Sequence, residues 1–434
     1  MSSYKLRDKK SIWHPYTQML NAAEHIPIVR AAGSKLYDEN GNSFIDAISS
    51  WWTNLHGHAH PYIAKAISEQ VAELDHVLFA GFTHPGAIEL AERILKLLPE
   101  NQTKAFYSDN GSTAVEVALK MSIQFWRNKG LRKNRILAFE NAYHGDTFGS
   151  MSVSGRGAFN RPFNDQLFEV DYIPIPREDR EHISLLAMQD LLTKRKEEYA
   201  CFIFEPLVQG AAGMNMYQGE PLSQLISVCR INNVLTIADE VMTGFGRTGD
   251  LFAVDSLSQK PDMICLSKGI TGGIMPLGLT TCSENIYEAF LSQDLSKTFF
   301  HGHSYTANPI ACRAALASLD LLLDPVCTQN RNFINQKHLA FKQTLQDTGT
   351  IENVRVTGTI LAFELSGEEA TGYFNSRRNY IYEYFLDKGI LLRPLGNVVY
   401  IMPPYSITGP ELDEIYSAIL KLASSPIAKS NIYS

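Results

Sequence analysis

Short runs of apolar residues, rich in β-branched and aromatic side chains, recur through the middle of this 434-residue chain. Longer segments with the spacing of amphipathic helices separate them. Such an alternation indicates buried parallel strands joined by crossover helices. The runs are KAFYS from residue 104, RILAF from 135, CFIFE from 201, VLTIAD from 234 and MICLSK from 263. The pattern therefore predicts an α/β fold.

The two ends of the chain have a different pattern. The C-terminal third has amphipathic segments around 329–346, 368–388 and 410–423 and short strand-like runs VRVTG, ILAFEL and VVYIM, which predict a separate α+β unit. Before residue 48, the segment SKLYDENGNSFIDA has alternating apolar residues on either side of the turn Glu39–Asn42, which predicts a hairpin. The pattern leaves open which unit this hairpin joins.

Composition and charge narrow the class of partner. With 45% hydrophobic residues, the chain can form one large core and a smaller second one. The formal net charge of -7 is scattered, which argues against binding to nucleic acid or an anionic membrane and favours small-molecule partners. We expect a cytoplasmic protein with free thiols, because no segment resembles a signal peptide or a membrane span and the six cysteines form no C-x-x-C pair.

Candidate chemistry gathers where the apolar runs end, because ligands of open α/β sheets bind beyond the carboxyl ends of the strands. The run at 104 ends in Ser108–Thr113 and leads into a helix. Thr113 and Glu116 have the spacing of a capping box. Free backbone N–H groups at the positive end of a helix dipole suit a phosphate, although an ordinary capped turn has the same pattern.

Three further residues follow the later runs. Tyr143 is in a position to stack on a planar ring. Asp239 ends a run so apolar that its carboxylate needs a cationic partner, for which a pyridinium nitrogen and Arg247 are candidates. Lys268 ends the next run and precedes the glycine-rich Gly269–Gly273, where a lysine can form a Schiff base and transfer protons. The ordered set, rather than any single member, indicates a cofactor site.

The segments Asp239–Gly249 (DEVMTGFGRTG) and Ser267–Gly269 resemble those of the class III, fold-type I PLP-dependent aminotransferases, and the resemblance covers nearly the whole chain. It implies pyridoxal 5'-phosphate (PLP) as cofactor and the PLP-dependent transferase fold type I. That fold has a large, mostly parallel-sheet domain and a smaller α+β domain formed from both chain ends. The implied bounds are 1–48 for the N-terminal part of the small domain, 49–325 for the large domain and 326–434 for the C-terminal part.

The same resemblance assigns roles at the cofactor. Gly111 and Ser112 would bind its phosphate, and Tyr143 would cover its ring. Asp239 would pair with the ring nitrogen, and Lys268 would be the Schiff-base lysine. We therefore expect Lys268, Asp239 and Tyr143 to be the catalytic residues of an amine transfer in a ping-pong cycle.

Four other motifs resemble one branch of the family, which acts in biotin biosynthesis. They are WHPYTQM from residue 13, SSWW from 49, YHGDTFG from 143, and Arg393-Pro394 with YIMPPY from 400. By this resemblance Tyr16, Trp51 and Tyr400 would line the substrate cleft, next to Tyr143 and Lys268. Arg393 would bind the carboxylate of a keto acid acceptor, because a guanidinium can hold it through two parallel hydrogen bonds.

Gly302, His303 and Ser304 would contribute to the cofactor site across a subunit interface. Gly302 and Ser304 would reach the phosphate in the partner subunit, and Gly302 would also contact substrate, so the resemblance implies an obligate homodimer. Many members of this branch have Gly-Pro-Thr at these positions. The departure at His303 and Ser304 leaves the amino donor open between S-adenosylmethionine and lysine.

Two motifs support other classes of protein. Gly244–Gly249 spells the G-x-G-x-x-G of nicotinamide-binding folds, but the charged GRTGD indicates a loop rather than a helix start. The triplet His56–His60 (HGHAH), with His301 and His303, suggests zinc, but no nearby Asp or Cys completes a set, so we expect no metal. Within the family, the main alternative is an ω-amino acid or diamine aminotransferase, followed by a mutase or decarboxylase.

Overall fold

The computed structural model describes residues 4–157, 159–367, 371–372 and 374–425. Its strands are β1 (Ile28–Ala32), β2 (Lys35–Asp38), β3 (Ser43–Asp46), β4 (Lys104–Ser108), β5 (Arg135–Phe139), β6 (Val170–Ile173), β7 (Tyr199–Phe204), β8 (Val208–Gln209), β9 (Asn215–Met216), β10 (Leu235–Asp239), β11 (Met263–Leu266), β12 (Gly278–Cys282), β13 (Ile351–Thr357), β14 (Ile360–Leu365), β15 (Ile390–Leu391) and β16 (Val398–Ile401). Its α-helices are α1 (Tyr4–Ser11), α2 (Ser49–Trp52), α3 (Pro61–Glu73), α4 (Pro85–Leu97), α5 (Gly111–Asn128), α6 (Phe148–Val153), α7 (Glu181–Arg195), α8 (Gly219–Ile231), α9 (Glu284–Glu288), α10 (Pro309–Leu323), α11 (Pro325–Gln346), α12 (Arg377–Asp387) and α13 (Gly409–Ser424).

The large sheet has seven strands in the order β4, β12, β11, β10, β7, β5, β6. Strand β10 is parallel to β7 and β11, and β5 is parallel to β7 and β6. Every residue of β7 and β10 is buried, as expected for strands covered on both faces. The predicted mostly parallel sheet is confirmed, and each of the five apolar runs forms one of its strands. Strand β12, which is antiparallel to both neighbours, was not predicted.

Helices cover both faces of this sheet. The buried residues of α5 share one hydrophobic cluster with Ile136 and Ile203. Helices α7 and α8 cover the opposite face, in a cluster that contains Phe139 and Phe202. Phe202 and Ile203 are neighbours on β7 and point to opposite faces, as the two-residue period of a strand requires. The large unit is therefore a three-layer α/β structure.

The two ends of the chain meet in a smaller sheet of order β1, β2, β3, β15. Ile390 and Leu391 of β15 pair in parallel with Ile45 and Asp46 of β3. The C-terminal part adds the sheet β13, β14, β16, against which α11 packs. This pairing supports the assignment of both ends to one unit, while the bounds at 48/49 and 325/326 remain a prediction.

Two predicted elements in the end segments, a hairpin and a helix, depend on local hydrogen bonds from side chains to the backbone. The predicted hairpin is confirmed, since β2 and β3 pair in antiparallel orientation. The Asp38 carboxylate stabilises the turn between them by accepting hydrogen bonds from the N–H groups of Asn40 and Asn42. The helix predicted around 368–388 begins only at Arg377, whose N–H donates to the side chain of Asn375; residues 368–370 and 373 lie outside the described residues. In the described ranges no helix combines the length and hydropathy needed to cross a membrane.

Candidate active site

A cavity of about 440 Å³ lies at the carboxyl ends of the central strands. Parallel strands bring these ends to one edge, so residues distant in sequence meet there. The cavity is lined by Gly111 and Ser112 after β4, Tyr143 and His144 after β5, Glu205 after β7, Asp239 at the end of β10 and Lys268 after β11. The five residues predicted to hold the cofactor within one chain therefore line a single cavity.

The turn between β4 and α5 has the features of an anion site. Helix α5 begins at Gly111, and the side chain of Asn110 caps it by accepting a hydrogen bond from the Thr113 N–H at 3.0 Å. The N–H groups of Gly111 and Ser112 donate to no acceptor within the described chain. A Cβ on Gly111 would lie 2.7 Å from Cγ1 of Val241, so this approach requires glycine. The turn thus offers two N–H groups at the positive end of a helix dipole.

The predicted capping box of Thr113 and Glu116 is wrong. The helix begins earlier than that pairing requires, because Asn110 is a favourable N-cap and forms the capping box with Thr113. Oε1 of Glu116 instead accepts hydrogen bonds from the N–H groups of Gly149 at 2.8 Å and Ser150 at 3.2 Å. Glu116 therefore anchors the segment that follows Tyr143 to the helix.

Asp239 contacts a histidine rather than an arginine. Its Oδ2 lies 2.7 Å from Nδ1 of His144, and its Oδ1 accepts a hydrogen bond from the Val241 N–H at 3.1 Å. Arg247, the alternative partner considered from the sequence, donates to the carbonyl oxygens of Asn54 and Pro403, each at 2.9 Å. An ion pair between Asp239 and Arg247 is thus ruled out, and His144 is a site residue for which no role was predicted.

Glu205 is a further acidic residue of the cavity that the sequence pattern did not identify. Its two carboxylate oxygens accept hydrogen bonds from the N–H groups of Tyr143 at 3.0 Å and Gly210 at 2.9 Å. Burial raises the pKa of Glu205 to about 7. The available signal was its position, since it ends the apolar run CFIFE just as Asp239 ends VLTIAD.

Lys268 is the basic residue of the cavity. Its φ of 46° lies in the left-handed region, which residues other than glycine rarely adopt. Its Nζ lies 4.5 Å from the ring centroid of Trp52. Burial lowers the pKa of Lys268 to about 8, although the carboxylates of Asp239 and Glu205 act in the opposite direction. The neutral amine, which is the nucleophilic form, is therefore accessible near neutral pH.

The segment Ser49–Trp52 has an unusual backbone. The φ angles are 54° at Ser49, 60° at Ser50 and 65° at Trp52, although none of these residues is glycine. Trp52 is buried and lines the cavity, whereas Trp51 is 40% exposed. Strained backbone of this kind persists only where surrounding contacts fix it, and it is common at functional sites.

Tyr400, which was predicted for the substrate cleft, contacts a residue of the cavity lining. It is 1% exposed, and its hydroxyl accepts a hydrogen bond from Nε1 of Trp52 at 2.9 Å. Strand β16 is buried at every position, so its sequence does not alternate between apolar and polar residues. The sequence pattern therefore does not show which face of the strand points toward the site. Tyr400 therefore supports Trp52, and its own contact with substrate stays a prediction.

Three side chains predicted for the substrate cleft lie together. The guanidinium carbon of Arg393 is 4.3 Å from the ring centroid of Trp51, and the rings of Trp51 and Tyr16 are 5.6 Å apart. The Tyr16 hydroxyl lies 3.1 Å from that of Tyr143 and also donates a hydrogen bond to Asp146. Asp146 belongs to the motif YHGDTFG but had no predicted role. The cluster joins an aromatic wall, one cation and one carboxylate.

Gly302, His303 and Ser304 lie outside the cavity of their own chain. Gly302 and Ser304 are exposed, and Nδ1 of His303 accepts a hydrogen bond from the Tyr305 N–H at 3.2 Å. The adjacent Phe300 is 74% exposed and Tyr305 is 66% exposed. Within one chain, these three predicted cofactor residues do not join the others.

The two rival motifs have other roles. Residues 241–250 are turns and bends, so the G-x-G-x-x-G pattern does not open the helix that a nicotinamide site requires. Nε2 of His56 lies 3.0 Å from Oγ of Ser318, whereas Nε2 of His58 lies 2.8 Å from Asp46. The imidazoles of His56 and His58 thus contact different partners, and the aspartate beside His58 was not evident from the sequence.

One group of possible metal ligands lies elsewhere, in the N-terminal segment. Among the described residues, ligand atoms of at least three such side chains converge only at Asp8, His14 and His25. The imidazoles of His14 and His25 are stacked, with centroids 3.5 Å apart and planes inclined by 15°. Their lone pairs therefore lie in two nearly parallel planes about one ring thickness apart, so one ion cannot lie in the planes of both rings.

The residues of the cavity fit PLP. Two unpartnered N–H groups suit a phosphate, a buried carboxylate suits a protonated ring nitrogen, and a buried amine suits an aldehyde. Nε2 of His144 is also buried with no hydrogen-bond partner among the described residues, as expected where a bound group completes a site. This site on this sheet defines a PLP-dependent enzyme of fold type I. The chain belongs to the class III aminotransferase family, because residues 18–422 match the pattern of "Aminotransferase class-III".

Known proteins are similar over nearly the full length. Adenosylmethionine-8-amino-7-oxononanoate aminotransferase from Synechococcus elongatus is 46% identical, over 95% of this chain and 98% of that one. The Helicobacter pylori enzyme of the same name is 38% identical, over 96% of both chains. The crystal structure of the Methanocaldococcus jannaschii enzyme of that name superposes with a TM-score of 0.90 at 35% identity, over 97% of this chain and 99% of that chain. A PLP-bound amine transaminase from an uncultivated Pseudomonas species gives 0.88 at 30% identity, over 95% and 98%. PLP is the cofactor of this aminotransferase.

Proposed function

We propose that this aminotransferase converts 8-amino-7-oxononanoate to 7,8-diaminononanoate, a step of biotin biosynthesis. The names of the relatives support this substrate. The position of Arg393 is the structural observation that carries it, because its guanidinium adjoins the aromatic ring of Trp51 at 4.3 Å. A long aliphatic chain that ends in a carboxylate can lie along the aromatic wall and pair with this cation.

The cofactor residues have distinct roles in this proposal. Bound PLP supplies an electron sink for the carbon next to the amine. The N–H groups of Gly111 and Ser112 would bind its phosphate, and the ring of Tyr143 would cover its ring. The Asp239 carboxylate keeps a proton on the ring nitrogen, and His144 orients that carboxylate through the 2.7 Å contact.

Lys268 is the proposed attachment point and proton carrier. Its lowered pKa favours the neutral amine that attacks the cofactor aldehyde. When not bonded to the cofactor, the amine of Lys268 would serve as the base and acid that takes up and returns the proton of the amine-transfer reaction. The adjacent Trp52 ring covers this amine and excludes water from it.

The amino donor is S-adenosylmethionine in this proposal, as in the names of the relatives. Lysine is the alternative, because His303 and Ser304 depart from the Gly-Pro-Thr of many members. Both donors carry positive charge, and the Asp146 carboxylate beside Tyr16 provides a negative group that suits either one.

We further propose a homodimer, in which Gly302, His303 and Ser304 complete the cofactor site of the partner subunit. The exposed Phe300 and Tyr305 beside them support a buried interface there. Sedimentation should give about twice the 48.5 kDa of one chain, and an active monomer would contradict the proposal. A cytoplasmic location is also proposed, since all six cysteines are unpaired.

The function is tested by incubating the holoenzyme with 8-amino-7-oxononanoate and either S-adenosylmethionine or lysine, and by measuring the diamine product. We expect product with at least one donor. In Arg393→Ala the KM for the acceptor should rise about 100-fold, because a charge-assisted contact contributes roughly 1.5–3 kcal/mol.

The matched control is Arg132→Ala, since Arg132 is exposed and lies outside the cavity lining. It should leave the KM for the acceptor unchanged. Absence of diamine product with both donors, together with turnover of ω-amino acids, would overturn the proposed substrate. An unchanged acceptor KM in Arg393→Ala would contradict the role of this residue alone.

A further inference from the structure

Asp46 is a fully buried carboxylate at the end of β3. Its Oδ1 accepts a hydrogen bond from the Ile48 N–H at 3.2 Å. Its Oδ2 accepts from the Ser50 N–H at 2.7 Å and from Nε2 of His58 at 2.8 Å. Three donors within 3.2 Å therefore converge on the two oxygens, and the Ser50 hydroxyl donates to Oδ2 at 3.5 Å. A carboxylate can satisfy this arrangement, whereas an amide, with a single oxygen, cannot.

One of these donors, the Ser50 N–H, belongs to the strained segment Ser49–Trp52. Another, the N–H of Ile48, belongs to the residue just before this segment. Left-handed φ angles at three of its four residues are unfavourable unless surrounding contacts enforce them. The Asp46 bonds to the backbone hold one side of the segment. On the other side, Oγ of Ser49 donates to the carbonyl oxygen of Met402 at 2.8 Å.

The orientation of Asp46 is itself fixed by His58, the central histidine of the triplet. Oδ1 of Asn54 accepts a hydrogen bond from the Gly57 N–H at 2.8 Å, so its amino group faces Nδ1 of His58 at 3.3 Å. Nδ1 is then the acceptor and Nε2 carries the proton, which makes His58 a donor to the carboxylate. His58, one member of the triplet that suggested zinc, thus belongs to a chain of hydrogen bonds that ends at Asp46.

The strained segment sets the position of two rings at once. Trp51 lies against Arg393 at 4.3 Å, and Trp52 lies against Nζ of Lys268 at 4.5 Å. We infer that Asp46 is a positioning residue, which holds this segment so that Trp51 aligns Arg393 with the acceptor carboxylate. The inference deepens the proposed function and rests on it for the identity of the acceptor.

The test is Asp46→Asn in the holoenzyme, which keeps the size of the side chain and removes one acceptor oxygen and the charge. We expect the KM for 8-amino-7-oxononanoate to rise about tenfold while bound PLP per chain stays unchanged, because small displacements of a substrate-orienting group are costly. His58→Asn keeps the carboxylate and removes one donor, so it should shift KM in the same direction by a smaller factor. That variant keeps the test valid if Asp46→Asn does not fold.

Asp262→Asn is the matched control. Asp262 is a mostly buried carboxylate whose Oδ2 accepts hydrogen bonds from the N–H and the hydroxyl of Thr236, at the end of β11 opposite the cavity. It should lower the melting temperature as Asp46→Asn does and leave the acceptor KM unchanged. If both variants change KM equally, or if neither changes it, Asp46 has only a structural role and the inference is wrong.

A double-mutant cycle identifies the route of the effect. In the background Trp51→Ala, Asp46→Asn should change the acceptor KM by less than about twofold, because the ring that it positions is gone. A full tenfold effect in that background would overturn the inference. Near-ultraviolet circular dichroism, which reports tryptophan packing without substrate, should change in Asp46→Asn and not in Asp262→Asn. This readout separates failure of the inference from failure of the proposed substrate.

Discussion

Replacing Lys268 by alanine is expected to lower turnover by at least about 10⁴-fold. In the proposed mechanism, the variant loses both the amine that attaches the cofactor and the base that moves the proton. PLP should still bind without a covalent bond, because the anion turn at Gly111 and Ser112 and the carboxylate of Asp239 remain. Borohydride reduction followed by mass spectrometry should fix PLP to the wild-type chain and not to the variant.

Lys133→Ala is the matched control for a buried lysine. Lys133 is 2% exposed, and its Nζ donates to the carbonyl oxygens of Lys196 and Asn233, before the start of β5 and away from the cavity. This variant should lose stability and keep covalent PLP. If Lys268→Ala retains turnover and the covalent bond, another amine holds the cofactor and the proposed role is wrong.

The same residue predicts a pH dependence in the wild type. With a pKa of about 8, the Lys268 amine is neutral in about one molecule in ten at pH 7, against about one in three thousand for an unperturbed lysine. The rate at which the apoenzyme captures PLP should therefore rise with pH and level off above about pH 8. A rate that keeps rising beyond pH 10 would show that burial does not lower this pKa.

The central strands could be predicted because each is a continuous apolar run covered on both faces. Strand β12 was missed because its sequence, GLTTC, contains two threonines that are fully buried. The hydroxyl of Thr280 donates to the carbonyl oxygen of Ala114, and that of Thr281 donates to Oε1 of Gln102. These hydroxyls can be buried because each has a hydrogen-bond partner distant in the sequence. Strand β12 therefore lacks the continuous apolar run that marks the other central strands.

The candidate site also contains residues that the sequence could identify and residues that it could not. Asp239 and Lys268 could be identified as candidates because a charged side chain at the end of a buried strand is costly unless an opposite charge or a ligand meets it there. His144 could not, since its contact with Asp239 depends on how the loop after β5 folds back over the sheet edge. The hydrogen bond from Trp52 to Tyr400 was also beyond prediction, because it depends on the orientation of Trp52 in a strained segment that no local propensity favours.

Asp239→Asn is expected to lower turnover on the order of 10³-fold while the acceptor KM changes little. The neutral amide can still accept a hydrogen bond from His144, so the geometry at 2.7 Å is largely retained. It cannot stabilise a proton on the ring nitrogen, and loss of an adjacent opposite charge lowers such a pKa by about 1–3 units. The cofactor is then a weaker electron sink, whereas Arg393 still binds the acceptor.

The pH dependence of the activity ratio between variant and wild type tests this mechanism. Once Asp239 is neutralised, protonation of the ring nitrogen depends on the solvent, so the ratio should fall as pH rises. Titrations common to both enzymes cancel in the ratio. A ratio independent of pH would mean that Asp239 supports the site only by packing, and a ratio near one would exclude its role. His144→Asn, which leaves the charge of Asp239 in place, should give a smaller loss than Asp239→Asn, because the carboxylate then loses only its orientation.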